Sequence, residues 1–205
     1  DSRGTLHRGR NDIAAEPALF AEKWRVCTET NPGRIAGGIE AALRGADACI
    51  AFSQSGPGVI RPEWIRGMAK DAIVFACANP IPEIWPAEAK RAGARISASG
   101  RGDFPNQVNN SLAFPGVFRG ILDVRARAIT DAVAIAAAEE LAKCGAEAGL
   151  REDHILPPMT DWRIHARVAA AAGMSAQREG LARTAKEFEA LYRGACDAIQ
   201  ETHRA

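Results

Sequence analysis

The chain has 205 residues, 47% hydrophobic and 25% charged, an ordinary globular composition that argues against disorder and is long enough to bury a core in one or two domains. Lys and Arg number 26 against 25 Asp and Glu, so the net charge of +1 favours neither nucleic acid nor an anionic membrane surface as a partner. No apolar run approaches the roughly 18 residues that a membrane helix needs, and the most apolar helical stretch, 132–142, carries Glu139 and Glu140.

The first residue is Asp1, and no charged stretch followed by an apolar run succeeds it, so no signal peptide is expected. Residues 35–44 predict a helix with Ile35, Ile39, Ala42 and Leu43 on one face, stopped by Gly45. Residues 48–52 (Ala-Cys-Ile-Ala-Phe) form a short apolar run, predicted as a strand. A helix opened by Pro62 follows over 62–69, with Trp64, Ile65 and Met68. Residues 73–78 (Ile-Val-Phe-Ala-Cys-Ala) predict a second strand, stopped by Asn79-Pro80. Another Pro-opened helix spans 86–92 and ends at Gly93. A weaker strand covers 95–99. Continuous apolar strands of this kind suit a sheet covered on both faces. Helix and strand alternating with short Gly/Pro joints predict an α/β fold with a parallel, doubly wound sheet. Residues 101–110 are polar and loop-like. From Pro115 onward the pattern is helical, with stretches at 129–144, 162–172 and 178–198 and a break at Leu156-Pro157-Pro158.

Ligands of open parallel sheets bind beyond the carboxyl ends of the strands, which directs attention to three segments. Ser53-Gln54-Ser55-Gly56-Pro57-Gly58 follows the first strand and is either a Gly/Pro turn or a backbone cradle for a ligand. Asn79-Pro80-Ile81-Pro82-Glu83 follows the second. Pro80 keeps Asn79 out of helical geometry, and the amide offers both a donor and an acceptor. Asn106, Gln107, Asn109 and Asn110 follow the third, between Phe104-Pro105 and Phe114-Pro115. Such amides suit hydroxyl and carboxylate oxygens without adding charge. Asp103 is expected to order this loop through backbone bonds. The five scattered cysteines (Cys27, Cys49, Cys77, Cys144, Cys196) suggest no disulfide framework or zinc site and fit the reduced thiols of a cytoplasmic protein. His7, His154, His165 and His203 show no metal spacing, and Tyr192 and the lysines suit packing or solvated roles.

The strings Phe75-Ala-Cys-Ala-Asn-Pro-Ile-Pro-Glu83 and Gly100-Arg-Gly-Asp-Phe-Pro-Asn-Gln-Val-Asn-Asn-Ser-Leu-Ala-Phe-Pro-Gly-Val-Phe-Arg-Gly120 resemble the bacterial malic enzymes. So does Gly45-Ala-Asp-Ala leading into Ser53-Gln-Ser-Gly-Pro-Gly58. The likeness runs from Asp1 to roughly Ala172. It implies the carboxyl-terminal part of such an enzyme, beginning within its NAD(P)-binding domain: an incomplete Rossmann-like domain over 1–115 and a helical carboxyl-terminal region over 116–205. The family oxidises malate with NAD or NADP and decarboxylates the product to pyruvate with Mg or Mn as Lewis acid. By this resemblance Asp1, Ser53 and Asn79 would contact the cofactor, and Asn109 and Asn110 the substrate. At the strand end Asp1 argues for NAD and Arg3 for NADP. The family's Gly-x-Gly-x-x-Gly loop, its catalytic Lys and Tyr and its acidic metal ligands precede Asp1 in the pattern. No catalytic residue and no metal ligand is therefore expected in this chain, and the chain alone is expected not to turn over malate. A homo-oligomer is also implied. Two alternatives stay open: another two-domain NAD(P)-dependent dehydrogenase, or a non-catalytic module that binds a nucleotide or a protein.

Overall fold

The computed structural model describes Asp1 and residues 3–204, without the side chain of His203; Ser2 and Ala205 lie outside the described residues. The chain divides into two compact units, residues 1–96 and residues 97 onward.

The first unit opens with two helices that no strong periodicity announces, α1 (Asn11–Ala14) and α2 (Ala21–Glu29). It continues through α3 (Ile39–Leu43), β1 (Ala48–Ala51), α4 (Pro62–Arg66), β2 (Ile73–Ala76) and α5 (Pro86–Arg91) to the start of β3 (Ile96–Ser99). The strands form a parallel sheet in the order β1-β2-β3, as the alternation predicts. β1 and β2 pair in register from Ala48 with Ile73 to Ala51 with Ala76. Arg95 N and Ile96 N both donate to Ala72 O, which starts β3 beside β2. Pro62 and Pro86 stand in the first turns of their helices, where a missing N–H costs nothing. Val74, Ala76, Ile60, Ile65, Ile84 and Ala89 form the core between sheet and helices.

Two expectations need correction here. The helix expected over 35–44 forms only at Ile39–Leu43, because Arg34 (φ 51°) and Gly37 (φ 120°) sit in left-handed backbone that cannot continue a right-handed helix. Ile35, Ile39 and Ala42 are exposed, and only Leu43 of the expected face is buried. The sheet is not covered on both faces throughout. β1 is an edge strand. Cys49 is buried, but Ile50 is 64% exposed and Phe52, just beyond the strand, 74%.

The second unit holds a 3-10 turn (Asn110–Leu112), α6 (Phe114–Asp123), α7 (Asp131–Glu147), α8 (Arg163–Arg178) and α9 (Phe188–Arg204). Thr130 caps α7 by accepting from Val133 N. The helix expected over 178–198 is instead the end of α8, a break at Gly180 (φ 68°) and the first two-thirds of α9. A boundary between 115 and 116 is expected, whereas the compact units part at 96/97. The reason is that the loop at 100–110 is tied into the second unit through Asn106, and Leu112 belongs to that unit's core. Val117, Ile121, Val124, Val133, Ile164 and Val168 fill this core. Arg167 on α8 donates to Glu140 on α7 at 2.6 Å, pairing a nearly buried carboxylate across the helix contact.

α6 and α8 approach through glycine. A Cβ on Gly120 would stand 2.1 Å from Ala169 O, and one on Gly116 2.6 Å from His165 O. Backbone cannot yield at that distance without opening the crossing. Gly120→Ala is therefore expected to destabilise the chain by about 1–3 kcal/mol in chemical denaturation. Gly194→Ala, on α9 with open space around it, is expected to be neutral or stabilising by up to about 1 kcal/mol.

Candidate functional site

The carboxyl ends of β1 and β2 are joined by one side chain. Glu83 is fully buried (0% exposed). Its Oε1 accepts from Ser53 N at 2.6 Å and from Ser53 Oγ at 3.0 Å, beyond β1; its Oε2 accepts from Ala78 N at 3.0 Å, beyond β2. Its own carbonyl accepts from Gly58 N and Ile60 N, both at 3.1 Å. Ser55 Oγ donates to Ile81 O and accepts from Ile81 N, and Gly56 N donates to Ile81 O. The loop at 53–58 and the turn at 79–83 therefore form one hydrogen-bonded platform at the sheet edge where ligands of parallel sheets bind. The Asn79–Pro80 peptide is cis.

Burial acts to raise the Glu83 carboxyl. Hydrogen bonds from the amides of Ser53 and Ala78 and from the Ser53 hydroxyl outweigh it and hold the group below the ordinary glutamate range, so it is ionised at neutral pH. Burial first, and the Glu83 charge second, push the Cys49 thiol up to about 11 and the Cys77 thiol above its ordinary value. These thiols are protonated and poorly nucleophilic.

Ser53 and Asn79 are exposed on this platform. Among the described residues the Asn79 side chain has no hydrogen-bond partner. Asp1 is placed differently. Its carboxylate accepts from Arg3 N, from both terminal nitrogens of Arg10 and from Lys23 Nζ, at 3.0–3.4 Å. Its four acceptor positions are engaged, so a ribose hydroxyl would have to displace one of these donors. Asp1 does border a cleft of about 720 Å³, with Gly4, Ile39, Arg44 and Trp64 among its other walls.

In the second unit the amides of the 100–110 loop divide their work. Asn106 is buried with φ 56°; its Nδ2 donates to Ser97 O and Glu152 O, and its Oδ1 accepts from Ile155 N. It is a structural pin. Asn109 caps the 3-10 turn: Oδ1 accepts from Ser111 N and Oγ, while Nδ2 donates to Gly100 O. One Asn109 N–H is left over for a ligand. Asn110 is exposed and its amide has no partner among the described residues. Asp103, expected to order the loop through backbone bonds, is held by Arg101 in a two-point ion pair at 2.7–2.8 Å. Among the described residues no group of three His, Cys, Asp or Glu could hold a metal ion. The residue that sequence reasoning missed is Glu83. The available signal was a carboxylate between rigid prolines, facing a glycine-rich loop whose N–H groups lack a ladder.

Because the native pKa of Glu83 lies below the unfolded value of about 4.3, its stabilising effect is complete above that value and is lost as pH falls through the native one. Glu83→Gln is expected to flatten the acid limb of a stability–pH profile. At neutral pH it is expected to cost about 1–3 kcal/mol, because one amide can replace only one of the two acceptor oxygens.

Residues 92–177 match the family model of the malic enzyme NAD-binding domain. The bifunctional malic/malolactic enzyme of Bacillus subtilis is 43% identical over 187 residues, covering 89% of this chain and 43% of that protein. The NAD-dependent malic enzyme of Geobacillus stearothermophilus is 41% identical over 183 residues, covering 89% of this chain and 36% of that protein. The crystal structure of Entamoeba histolytica malic enzyme superimposes with a TM-score of 0.93 at 48% identity, over 98% of this chain and 41% of that one. These matches place the chain in the malic enzyme family, over a stretch that spans about two fifths of the length of those relatives.

Proposed function

We propose that this chain supplies the strand-end part of a nicotinamide cofactor site and the amide part of a substrate site, within a protein that oxidises malate with NAD or NADP and decarboxylates the product to pyruvate. The observation that carries this reading is the Glu83 platform, which presents Ser53 and the unengaged amide of Asn79 at the ligand-binding edge of a parallel sheet. The nicotinamide ring, when bound, supplies the hydride acceptor.

In this reading Ser53 and Asn79 hold the ribose and carboxamide of the cofactor. Asp1 serves the adenosine ribose by exchanging one of its present donors, with Arg3 beside it to tolerate a 2′-phosphate. Asn109 offers its remaining N–H to a malate oxygen, and Asn110 offers a whole amide. The described residues do not form a ligand set for Mg or Mn, so no step is assigned here to the metal that the family uses. The free cysteines suit a cytoplasmic setting, and among the described residues no helix is long and apolar enough to cross a membrane. A homo-oligomer belongs to the same reading.

The test is a hybrid in which this chain replaces the matching segment of the Bacillus subtilis enzyme. Malate-dependent NAD(P)H formation is expected from the hybrid and none from the isolated chain with Mg or Mn. A folded hybrid without malate-dependent activity, or robust turnover by the isolated chain, would contradict the proposal. In the hybrid, Asn110→Ala removes no hydrogen bond seen in the structure, so it is the cleaner substrate-site probe. It is expected to lower kcat/KM for malate by about 2–12-fold, the equivalent of one hydrogen bond of about 0.5–1.5 kcal/mol.

A further inference from the structure

From its pattern of glycines, the loop at 53–58 has the look of a phosphate cradle. Cradles of that kind aim backbone N–H groups outward at an anion. Here three of the loop's five N–H groups run the other way, and those of Gln54 and Ser55 have no partner among the described residues. Ser53 N is taken by the Glu83 carboxylate, Gly56 N by Ile81 O and Gly58 N by Glu83 O. The Ser55 hydroxyl spends its proton on Ile81 O. What faces outward at Ser53 is decided by proton count. A serine hydroxyl has one proton and two acceptor positions, and an ionised carboxylate only accepts. Across the 3.0 Å contact with Glu83 Oε1, Ser53 must therefore be the donor.

We infer that Glu83 sets the polarity of this site at Ser53: by taking the single hydroxyl proton of Ser53 it leaves an exposed oxygen that accepts and cannot donate, so Ser53 selects a ligand hydrogen-bond donor, a sugar hydroxyl or an amide N–H, and turns away phosphate oxygens. The inference rests on reading this sheet edge as a nicotinamide-nucleotide site, and it adds which chemical face of the nucleotide the loop takes. The buried negative charge behind Ser53 acts in the same direction, because it repels an anion across a medium that screens poorly. Glu83 is here a positioning residue that works through Ser53. Asn79, with donor and acceptor both unengaged among the described residues, supplies the complementary contact on the adjoining turn.

The experiment uses the isotope-labelled full chain, with nicotinamide riboside as the donor probe and inorganic pyrophosphate as the anion probe, each followed by amide chemical shifts. Riboside is expected to move the Ser53 and Asn79 signals, and pyrophosphate at equal concentration to leave Ser53 unmoved. Ser53→Ala keeps the Ser53 N–H bond to Glu83 and removes only the hydroxyl. It is expected to weaken riboside binding by about 2–10-fold with the rest of the spectrum unchanged. Glu83→Gln keeps an amide oxygen that can accept from Ser53 and removes the buried negative charge, so it is expected to raise the response of Ser53 to pyrophosphate relative to the parent chain. Should Glu83→Gln fail to fold, the two probes on the parent chain and on Ser53→Ala still decide the matter. Pyrophosphate moving Ser53 as strongly as riboside, or Ser53→Ala binding riboside unchanged, would overturn the inference. A riboside response at Asn79 without one at Ser53 would overturn it while leaving the cofactor reading intact. Silence at both residues would remove the cofactor reading and the inference with it.

Discussion

A carboxylate removed from water stays ionised only when its oxygens are fully hydrogen-bonded, and that requirement at Glu83 organises the functional edge of the first unit. The donors come from both neighbouring strand ends, Ser53 after β1 and Ala78 after β2, so satisfying the charge also fixes the two loops to each other. The parallel register of β1 with β2 brings these ends level, since Ala51 pairs with Ala76 and each loop begins one or two residues later. Packing behind the platform comes from Ile60, Ile84 and Val74, which have almost no exposure. Fold stability and site geometry thus share one interaction, and a change at Glu83 reaches both.

The second unit meets a different constraint. Its amide loop is placed by Asn106, whose two donors and one acceptor are spent on Ser97, Glu152 and Ile155. Asn109 then turns the chain into the 3-10 segment that precedes α6. α6 is held against α8 at glycine distance, and the α7 contact is supported by Arg167 between Glu140 and Glu147. The amides that look alike in sequence thereby take unlike roles. One is a buried pin, one is a cap with a spare proton, and one is an open side chain.

The parallel strands were legible because short apolar runs bounded by Gly and Pro have few other uses, and the predicted ranges 48–52, 73–78 and 95–99 contain Ala48–Ala51, Ile73–Ala76 and Ile96–Ser99. The starts of α4 and α5 were legible from Pro62 and Pro86 for the same local reason. Residues 35–38 were misjudged because the apolar spacing of Ile35 and Ile39 suits a helix, whereas positive φ at Arg34 and Gly37 is a backbone property that spacing does not report. The 178–198 pattern hid its break because Gly180 interrupts the chain direction without disturbing the apolar period. Ser53, Asn79, Asn109 and Asn110 could be nominated from their place after strands. Which of their polar atoms remain available could not, because that depends on partners distant in sequence, Glu83 for Ser53 and Gly100 for Asn109.

The central claim is that the platform held by Glu83 receives the nicotinamide end of a dinucleotide. Its most direct test is a crystal structure, with NAD(P) bound, of the malic enzyme hybrid carrying this chain. The account predicts a ribose hydroxyl or the carboxamide within hydrogen-bond distance of Ser53 Oγ, and a second contact from the same end of the cofactor to the Asn79 amide. Pyrophosphate resting on the loop at 53–58, or a nicotinamide lying at the opposite ends of the strands, would contradict it.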